Sequence, residues 1–328
     1  MQLHSRWHCT EVPEETNAGT GFVEQEPTGA RRRLGAELRR LRGNAGLRLD
    51  EVAVRLTCST SKISRLENGK GVPKARDVED LMSVYDVRAD LEIAMLRRLV
   101  QESRSAGWWE SYVDGLSTER YVLDSPARYA ALETDAVAVT TFDVSVLHGL
   151  AQSRRYSRAL LEQRLPRHQP WEIERLVEML AHRKQALTRR DTPLRLVQVV
   201  DEAVLRRVVG NPAVMAEQLE HLLELSALPT VSLQVLPFEA GTFRAHDGQF
   251  AILDIPDELG SDVVFVESHT GSRYLEDPGE VEVFRGLADE VRAHSSDTDR
   301  SRQILREYRD RHAGAVAPPD RTRGTVER

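Results

Sequence analysis

The segment LDEVAVRLTCSTSKISRLENGK, residues 49–70, decides the fold of the amino-terminal part of the chain. Its apolar residues follow helical spacing in the first eight positions and again at Ile63 and Leu66, with a short polar break between the two runs. Ala53 is small, as is needed where two helices cross closely, and Ser59 is a residue type that favours the position just before a helix. The segment is therefore predicted to form a helix, a tight turn and a second helix.

The second helix of this segment is predicted to present a polar and cationic surface. Once Ile63 and Leu66 face inward, the outward positions carry hydroxyl groups, a lysine and an arginine, which are suited to hydrogen-bond base edges in a DNA major groove. The residues predicted to read bases are Thr60, Ser61, Lys62, Ser64 and Arg65, and the arginine suits bidentate contact with a guanine. The residues predicted to contact phosphates, and so to position the protein on the duplex, are Arg48, Ser59, Asn68 and Lys70.

Helical patterns on both sides complete a small all-helical domain, predicted over residues 29–90. Apolar residues recur at helical spacing before the quoted segment and again after Pro73. The residues predicted to form its core are Leu34, Leu38, Leu41, Val52, Ala53, Leu56, Ile63, Leu66, Val78, Leu81, Met82 and Tyr85.

Charge is distributed unevenly along the chain. Residues 30–76 contain 13 Lys and Arg against 4 Asp and Glu, a net charge of +9. Because the whole chain carries −7, the remaining residues carry −16. A basic module beside an acidic body indicates a protein that binds an anion such as double-stranded DNA at one end only.

Composition excludes several classes of protein. With 328 residues, 40% of them hydrophobic, the chain has enough apolar content for two globular domains. No run approaches the roughly 18 apolar residues of a membrane span, and the amino terminus lacks the apolar stretch of a signal peptide, so a cytoplasmic protein is predicted. Cys9 and Cys58 are too few for a disulfide framework or a metal-binding cluster, and no cofactor is expected. Residues 1–28 and 313–328 are predicted to be disordered tails.

Beyond the first domain, a connecting helix and junction are predicted over residues 91–110. Residues 111–312 are predicted to form an α+β domain with a small, mainly antiparallel sheet, which binds an effector or partner and dimerises. Its helices are predicted within residues 125–164, from residue 170, and after Asn211, which is a good helix cap. Period-two patterns predict strands at residues 194–200, 231–236, 249–255 and 262–268, with antiparallel hairpins among the last three because their loops are short.

A few residues of the second part are candidates for an effector site. Trp108 and Trp109 stand at the junction of the two regions, where adjacent tryptophans favour packing at a domain core or interface. His246, Glu267 and His269 lie on a predicted sheet rim and are candidates to line a ligand pocket or contact a protein. Catalysis is not expected, because the chain has no His-Glu-x-x-His helix, Gly-rich phosphate loop, Gly-x-Ser-x-Gly elbow or Cys-x-x-Cys pair.

The segment SRLENG, preceded by the Ser59 cap and continuing as LENGKGVP, resembles the lambda-repressor-like (Xre-type) helix-turn-helix over residues 30–90. Many actinobacterial regulators of the WhiJ-like group carry an effector-like domain of unknown function, and several further segments of this chain resemble that domain. These segments are GWWESY, LHGLAQSRRYSRAL, DEAVLRRVVG, MAEQLEHLLELSALPTVSLQVLPFEAG and SRYLEDP. The resemblance implies a DNA-binding transcription regulator that often works with a small, separately encoded partner protein.

Two positions depart from the pattern of that family. Arg48-Leu49 stands where the family usually has Thr-Gln, so a helix cap and an amide are lost, and Arg48 is a substitute phosphate contact. Thr57 occupies a turn position where glycine is usual, which predicts either a positive φ on a β-branched residue or a slightly different turn.

Three functions from different classes follow from these observations. The leading one is a sequence-specific transcription regulator that acts as a homodimer on a near-palindromic operator, because one recognition helix reads only a few base pairs. Its activity would be modulated through the second domain by a small molecule or a small partner protein. The alternatives are a DNA-tethered enzyme and an interaction protein whose basic domain binds DNA nonspecifically.

Overall fold

The computed structural model of the chain describes seven stretches of sequence. They are residues 29–70, 73–104, 107–116, 126–190, 192–256, 260–268 and 271–316. The predicted tail at residues 1–28, most of the predicted tail at residues 313–328, Cys9 and His269 lie outside these stretches.

Five helices make up the amino-terminal domain within the residues that the structure describes. They are α1 (Gly29–Asn44), α2 (Leu49–Arg55), α3 (Thr60–Glu67), α4 (Ala75–Val84) and α5 (Asp90–Ser103). The positions predicted to form the core are buried together, except that Leu56 and Leu66 are half-buried against it. The helix α5, predicted as a connecting helix, also buries Leu96 and Val100 in this core, so it is part of the domain rather than a linker.

The first and third helices approach each other closely at Gly35. A Cβ atom at this position would lie 2.5 Å from the carbonyl oxygen of Glu67, so a larger residue would push the helices apart. The buried Glu67 carboxylate accepts hydrogen bonds of 2.7 and 2.9 Å from Arg42 of α1. These contacts fix the orientation of α3 on the domain.

The second domain surrounds one sheet with helices. A short helix, α6 (Glu110–Val113), precedes it. The helices of the domain are α7 (Pro126–Asp135), α8 (Arg154–Arg164), α9 (Pro170–Lys184), α10 (Glu202–Arg206), α11 (Pro212–Leu225), α12 (Pro278–His294) and α13 (Thr298–Val316). As predicted, Asn211 caps α11 by accepting a hydrogen bond from the Val214 N–H. The helix α13 continues to Val316, beyond the predicted end of the domain at residue 312.

In the described part of the chain, the sheet contains six strands in the order β3-β2-β1-β4-β5-β6. The strands are β1 (Ala138–Asp143), β2 (Arg195–Asp201), β3 (Val231–Leu236), β4 (Phe250–Asp254), β5 (Val263–Ser268) and β6 (Gly271–Leu275). Three pairings are antiparallel and two, β1 with β2 and β2 with β3, are parallel. The predicted class of a helical domain followed by an α+β domain is confirmed, and the sheet is mixed.

Two expectations for this sheet are wrong. Residues 138–143 form a strand within the stretch that was predicted to be helical, because β1 lies at the centre of the sheet, is buried on both faces and shows no alternation of polar and apolar residues. Strand β3 forms no hairpin with β4. It pairs in parallel with β2 because the helix α11 provides the crossover between them, and residues 237–249 then carry the chain to the other side of β1.

Helices cover both faces of the sheet. One face packs against α7, α8, α11 and α13 in the largest core of the molecule, and the other packs mainly against α12. Among the residues that the structure describes, none of the helices is long and apolar enough to cross a membrane.

Candidate nucleic-acid interface

The turn between α2 and α3 is tight and places one residue in a strained conformation. Thr57 has a φ of +50°, so the first of the two alternatives predicted for this position is correct. Its N–H donates to the Val54 carbonyl at 3.2 Å, and the Cys58 N–H donates to the Ala53 carbonyl at 2.9 Å. Both bonds fold the chain back on α2, so that α3 starts on the same side of the domain.

Side-chain and backbone caps fix both ends of α3. Ser59 accepts a hydrogen bond from the Lys62 N–H at 3.2 Å and is the predicted N-cap. At the other end the Gly69 N–H donates to the Leu66 carbonyl at 3.1 Å and the Lys70 N–H donates to the Arg65 carbonyl at 2.8 Å. This is a Schellman motif, and Gly69 supplies the positive φ of 67° that it needs.

The side of α3 opposite the core presents the predicted base-reading residues. Thr60, Ser61 and Arg65 are exposed, and Ser64 is half-buried. At 3.6 residues per turn, Ser61, Arg65 and Asn68 form one stripe along the helix, and Thr60 and Ser64 lie beside it. The structure therefore brings these side chains together on one continuous surface, which we call the α3 surface.

Lys62, also predicted to read bases, lies at the edge of the α3 surface. Its Nζ is 2.7 Å from Oδ1 of Asp77 in α4. This hydrogen bond raises the pKa of Lys62, so the amine stays charged. The charge of Lys62 is therefore already paired with a carboxylate of the same domain, and reaching a base would require breaking this pair.

The predicted phosphate contacts lie around the α3 surface. Arg48 and Lys70 are exposed, and the Arg48 guanidinium is 3.0 Å from Asp50. The Arg48 N–H donates to the Glu51 carboxylate at 2.7 Å, which compensates in part for the absent side-chain cap at this position. Ser59, exposed at the start of α3, has its hydroxyl oxygen engaged in the cap described above.

One cation near this surface is not among the DNA contacts predicted from the sequence. Arg39 of α1 is 55% exposed, and its Nη2 donates to Oδ1 of Asn68 at 2.6 Å. The contact places a second guanidinium at the carboxyl end of α3. Arg39 lies outside the quoted segment, in an arginine-rich helix where spacing alone did not separate it from its neighbours.

Other arginines of α1 serve the structure of the protein instead. Arg31 is buried, and its Nε donates to the Ser103 carbonyl of α5 at 2.9 Å. Burial lowers the pKa of Arg31. Arg32 contacts the second domain through Asp135, at 2.8 Å. The net charge of +9 therefore overstates the number of cations that face outward with the α3 surface.

The two tryptophans of the junction pack into the second domain. Trp109 is 3% exposed and lies in a small apolar cluster with α7 and α9. The Trp108 ring stacks on His182 of α9 with ring centres 4.1 Å apart, and its Nε1 donates to Thr134 of α7 at 3.1 Å. Both residues thus attach the chain leaving the first domain to two helices of the second.

The other effector candidates do not form one site. His246 lies in a short turn before β4, where its Nε2 is 3.0 Å from Oδ2 of Asp201. The other carboxylate oxygen of Asp201 caps α10 through the Ala203 N–H. Glu267 lies at the end of β5, 3.1 Å from Arg164 of α8.

Comparisons with known proteins cover both domains. A family model described as "Domain of unknown function (DUF5753)" matches residues 126–307, which is more than half of the chain. A second model, described as "Helix-turn-helix domain", matches residues 33–96 and so includes the whole α3 surface. No curated protein matches the chain. No solved structure matches it either.

Proposed function

This chain belongs to the family defined by the domain of unknown function DUF5753, joined here to a helix-turn-helix domain, and on that basis we propose that it is a sequence-specific transcription regulator. In this proposal α3 lies in the major groove of double-stranded DNA, and the second domain controls the activity of the first.

The observation that carries the proposal is the α3 surface. Helix α3 is capped at both ends, held against α1 by buried contacts, and directs hydroxyl and guanidinium groups away from the core. Ser61 and Arg65 lie on adjacent turns and face the same way, as base-reading residues of a recognition helix must. Arg48, Arg39 and Lys70 surround the helix at positions suited to phosphate contacts.

We further propose that the domain is of the Xre type and that the protein works as a homodimer on a near-palindromic operator. Two copies of α3 separated by one helical turn of DNA, roughly 34 Å, would read enough base pairs for useful specificity. The long helices of the second domain are the proposed interface. The Xre assignment rests on the resemblance of residues 30–90 to that family, and the homodimer rests on the few base pairs that one recognition helix can read. The proposed location is the cytoplasm, with association to the nucleoid when the protein is bound to DNA.

The second domain is proposed to regulate rather than to catalyse. The charge of −16 outside residues 30–76 disfavours contact with phosphates, so this part of the chain is available for a small molecule or a small partner protein. The pair of His246 and Asp201 supports this view, because the carboxylate is engaged in capping α10 and the imidazole packs edge-on against Phe142. Both groups have structural roles.

Footprinting on the DNA upstream of the protein's own gene tests sequence-specific binding, and two variants test the assignment of residues. Arg65→Ala should cost about 1–3 kcal/mol and relax the preference at one position of each half-site. Lys70→Ala, the matched control, should weaken binding to all sequences alike and reduce the slope of log K against log salt by about 0.9.

Three results would contradict the proposal. A uniform weak footprint would indicate nonspecific binding. Equal changes in base preference for the two variants would remove Arg65 from the reading surface. A monomer in sedimentation, both free and on DNA, would exclude the homodimer.

A further inference from the structure

A cavity of about 200 Å³ lies in the second domain, away from the α3 surface. Its walls come from α7, α8, α9 and the strands β5 and β6, and its apolar lining includes leucines of α8 and α9 and Phe265 of β5. An apolar cavity of about 150 Å³ is known to accept benzene. The volume is therefore sufficient for one ring that carries a small substituent.

The charged groups at this cavity are compensated by other protein groups. Arg183 makes hydrogen bonds of 2.8 and 2.6 Å to the buried Glu133 carboxylate, and Arg164 lies 3.1 Å from Glu267 at the rim. Although burial disfavours a charged guanidinium, the pair with Glu133 keeps the pKa of Arg183 above its ordinary value. A charged ligand would lose its hydration on entering the cavity, and it would find no unpaired protein charge of opposite sign to compensate for that loss. The cavity therefore favours an uncharged molecule.

Tyr129 and His148 contribute hydrogen-bonding groups to the lining of the cavity. The His148 Nδ1 accepts a hydrogen bond from the Leu150 N–H, so the ring proton is on Nε2, which lies 2.7 Å from the Tyr129 hydroxyl. Burial, followed by the nearby charge of Arg183, lowers the pKa of His148 to about 3, so the ring is neutral at physiological pH. The Tyr129 oxygen then accepts from His148, and its own proton is available as a donor.

Gln249 supplies a second polar group. Its Oε1 accepts from the Ser145 hydroxyl at 3.5 Å, and the amide N–H groups are donors on the side chain that lines the cavity. Two donors and an apolar wall suit a ligand that presents a hydrogen-bond acceptor, such as a carbonyl oxygen, at one end.

We propose that this cavity binds an uncharged small molecule consisting of one ring with a carbonyl-type acceptor, which Tyr129 and Gln249 hydrogen-bond. That this molecule is the signal of a regulator rests on the function proposed above, whereas its binding to the cavity is independent of that function. The helix α7 carries Tyr129 into the cavity and also carries Asp135, which contacts Arg32 of the DNA-binding domain. A ligand that moves α7 would thus act directly on α1.

The test uses acetophenone and benzoate as probes with the full-length protein. They have the same number of non-hydrogen atoms and differ chiefly in charge. Saturation-transfer NMR titration should give a Kd on the order of 1 mM for acetophenone, as expected for a ligand of this size. Benzoate should bind at least about tenfold more weakly, because its charge is uncompensated in the cavity.

Variants locate the site. Leu161→Trp, which fills the cavity from α8, should abolish acetophenone binding, whereas Leu223→Trp, at another half-buried leucine outside the cavity, should not. Tyr129→Phe keeps the shape and should weaken binding by about fivefold through loss of one hydrogen bond. Thermal unfolding of each variant shows whether it is folded, and the comparison of the two probes in the unmodified protein requires no variant.

The proposal is overturned if benzoate binds as tightly as acetophenone, if neither probe binds, or if a folded Leu161→Trp protein binds acetophenone normally. Footprinting on the same preparation separates this result from the function proposed above. If acetophenone binds but no footprint is seen, the cavity proposal stands and the regulator proposal is rejected. If a footprint is seen but acetophenone does not bind, the regulator proposal stands and the cavity proposal is rejected.

Discussion

Arg32 of α1 lies 2.8 Å from Asp135 of α7 and joins the DNA-binding domain to the second domain through an ion pair whose side chains are 11% and 7% exposed. Burial raises the pKa of Asp135, and the charge of Arg32 opposes this effect. The pair lies one residue beyond Thr134, which binds Trp108 of the junction. Two separate contacts therefore hold the end of α7, one to the domain that carries the α3 surface and one to the junction that follows it.

A double-mutant cycle should measure how strongly this pair couples the domains. Arg32→Met and Asp135→Leu each remove one member of this nearly buried ion pair, and each should lower the free energy of unfolding by about 2–3 kcal/mol in urea. The double variant should recover most of that loss because neither charge remains. Arg33→Met, in the more exposed pair with Glu102, is the control and should cost less than about 1 kcal/mol. Additive losses in the double variant would show that the pair is not coupled.

Releasing Lys62 should strengthen DNA binding. In Asp77→Asn the 2.7 Å ion pair is lost, and Lys62 becomes available to phosphates at the edge of the α3 surface. Affinity should rise for all sequences alike, and the slope of log K against log salt should steepen by about 0.9. Glu79→Gln removes the same charge from the same helix but frees Arg97 of α5, so it controls for net charge. An equal gain in both variants would show that the effect is long-range electrostatics alone.

Thr57→Gly should stabilise the amino-terminal domain. A β-branched residue at a φ of +50° costs about 1–2 kcal/mol, and the greater freedom of glycine in the unfolded chain offsets part of the gain. The expected net increase is about 0.5–1 kcal/mol, measured by thermal unfolding and by slower amide exchange in α2 and α3. Asp86→Gly, at a φ of 56°, should gain less, since Asp tolerates this region better and its pair with Arg88 is lost. A destabilised Thr57→Gly protein would mean that the threonine side chain stabilises the turn.

The amino-terminal domain could be predicted from sequence because its determinants are local. The spacing of Leu34, Leu38 and Leu41 places them on one face of a helix. Serine and glycine, as at Ser59 and Gly69, have a strong preference for helix ends. The pairing of Lys62 with Asp77 could not be predicted in the same way. It depends on how α4 crosses α3, and spacing along one helix carries no information about that angle.

The second domain was harder because its strands pair over long distances. Strand β1 is central and almost wholly buried, and its polar residues Thr140, Thr141 and Asp143 do not alternate with the apolar ones, so it has no period-two signal. The parallel position of β3 depends on the crossover helix α11. The cavity could not be predicted for the same reason, because its lining residues are far apart in the sequence. Tyr129 and His148 are separated by β1, and Gln249 is about a hundred residues further along, so only the closed sheet brings them together.

Asp143 at the end of β1 should make stability depend on pH. The side chain is buried, and its Oδ2 accepts hydrogen bonds of 2.7 Å from the His148 N–H and from Gln198. Burial raises the pKa of Asp143 from an ordinary 3.8 to about 7, although these hydrogen bonds oppose the shift. Between pH 4 and 7 the folded protein therefore retains a proton that the unfolded chain has released.

The contribution of Asp143 to the free energy of unfolding should consequently fall as pH rises through this window, by up to about 1.4 kcal/mol per pH unit, and level off above pH 7. His148 contributes a slope of the opposite sign below about pH 6.5, because the pKa of its folded form is lowered. Asp143→Asn cannot titrate at this position but keeps His148, so the difference in stability between the two proteins isolates the effect of the Asp143 carboxyl.

Urea midpoints from pH 4.5 to 8 should show Asp143→Asn gaining stability relative to the unmodified protein as pH rises. The control Asp299→Asn changes a carboxylate that is 95% exposed, and its stability profile should run parallel to that of the unmodified protein. If the Asp143→Asn profile also ran parallel, Asp143 would be ionised across the whole range, and the buried end of β1 would have to hold a charge.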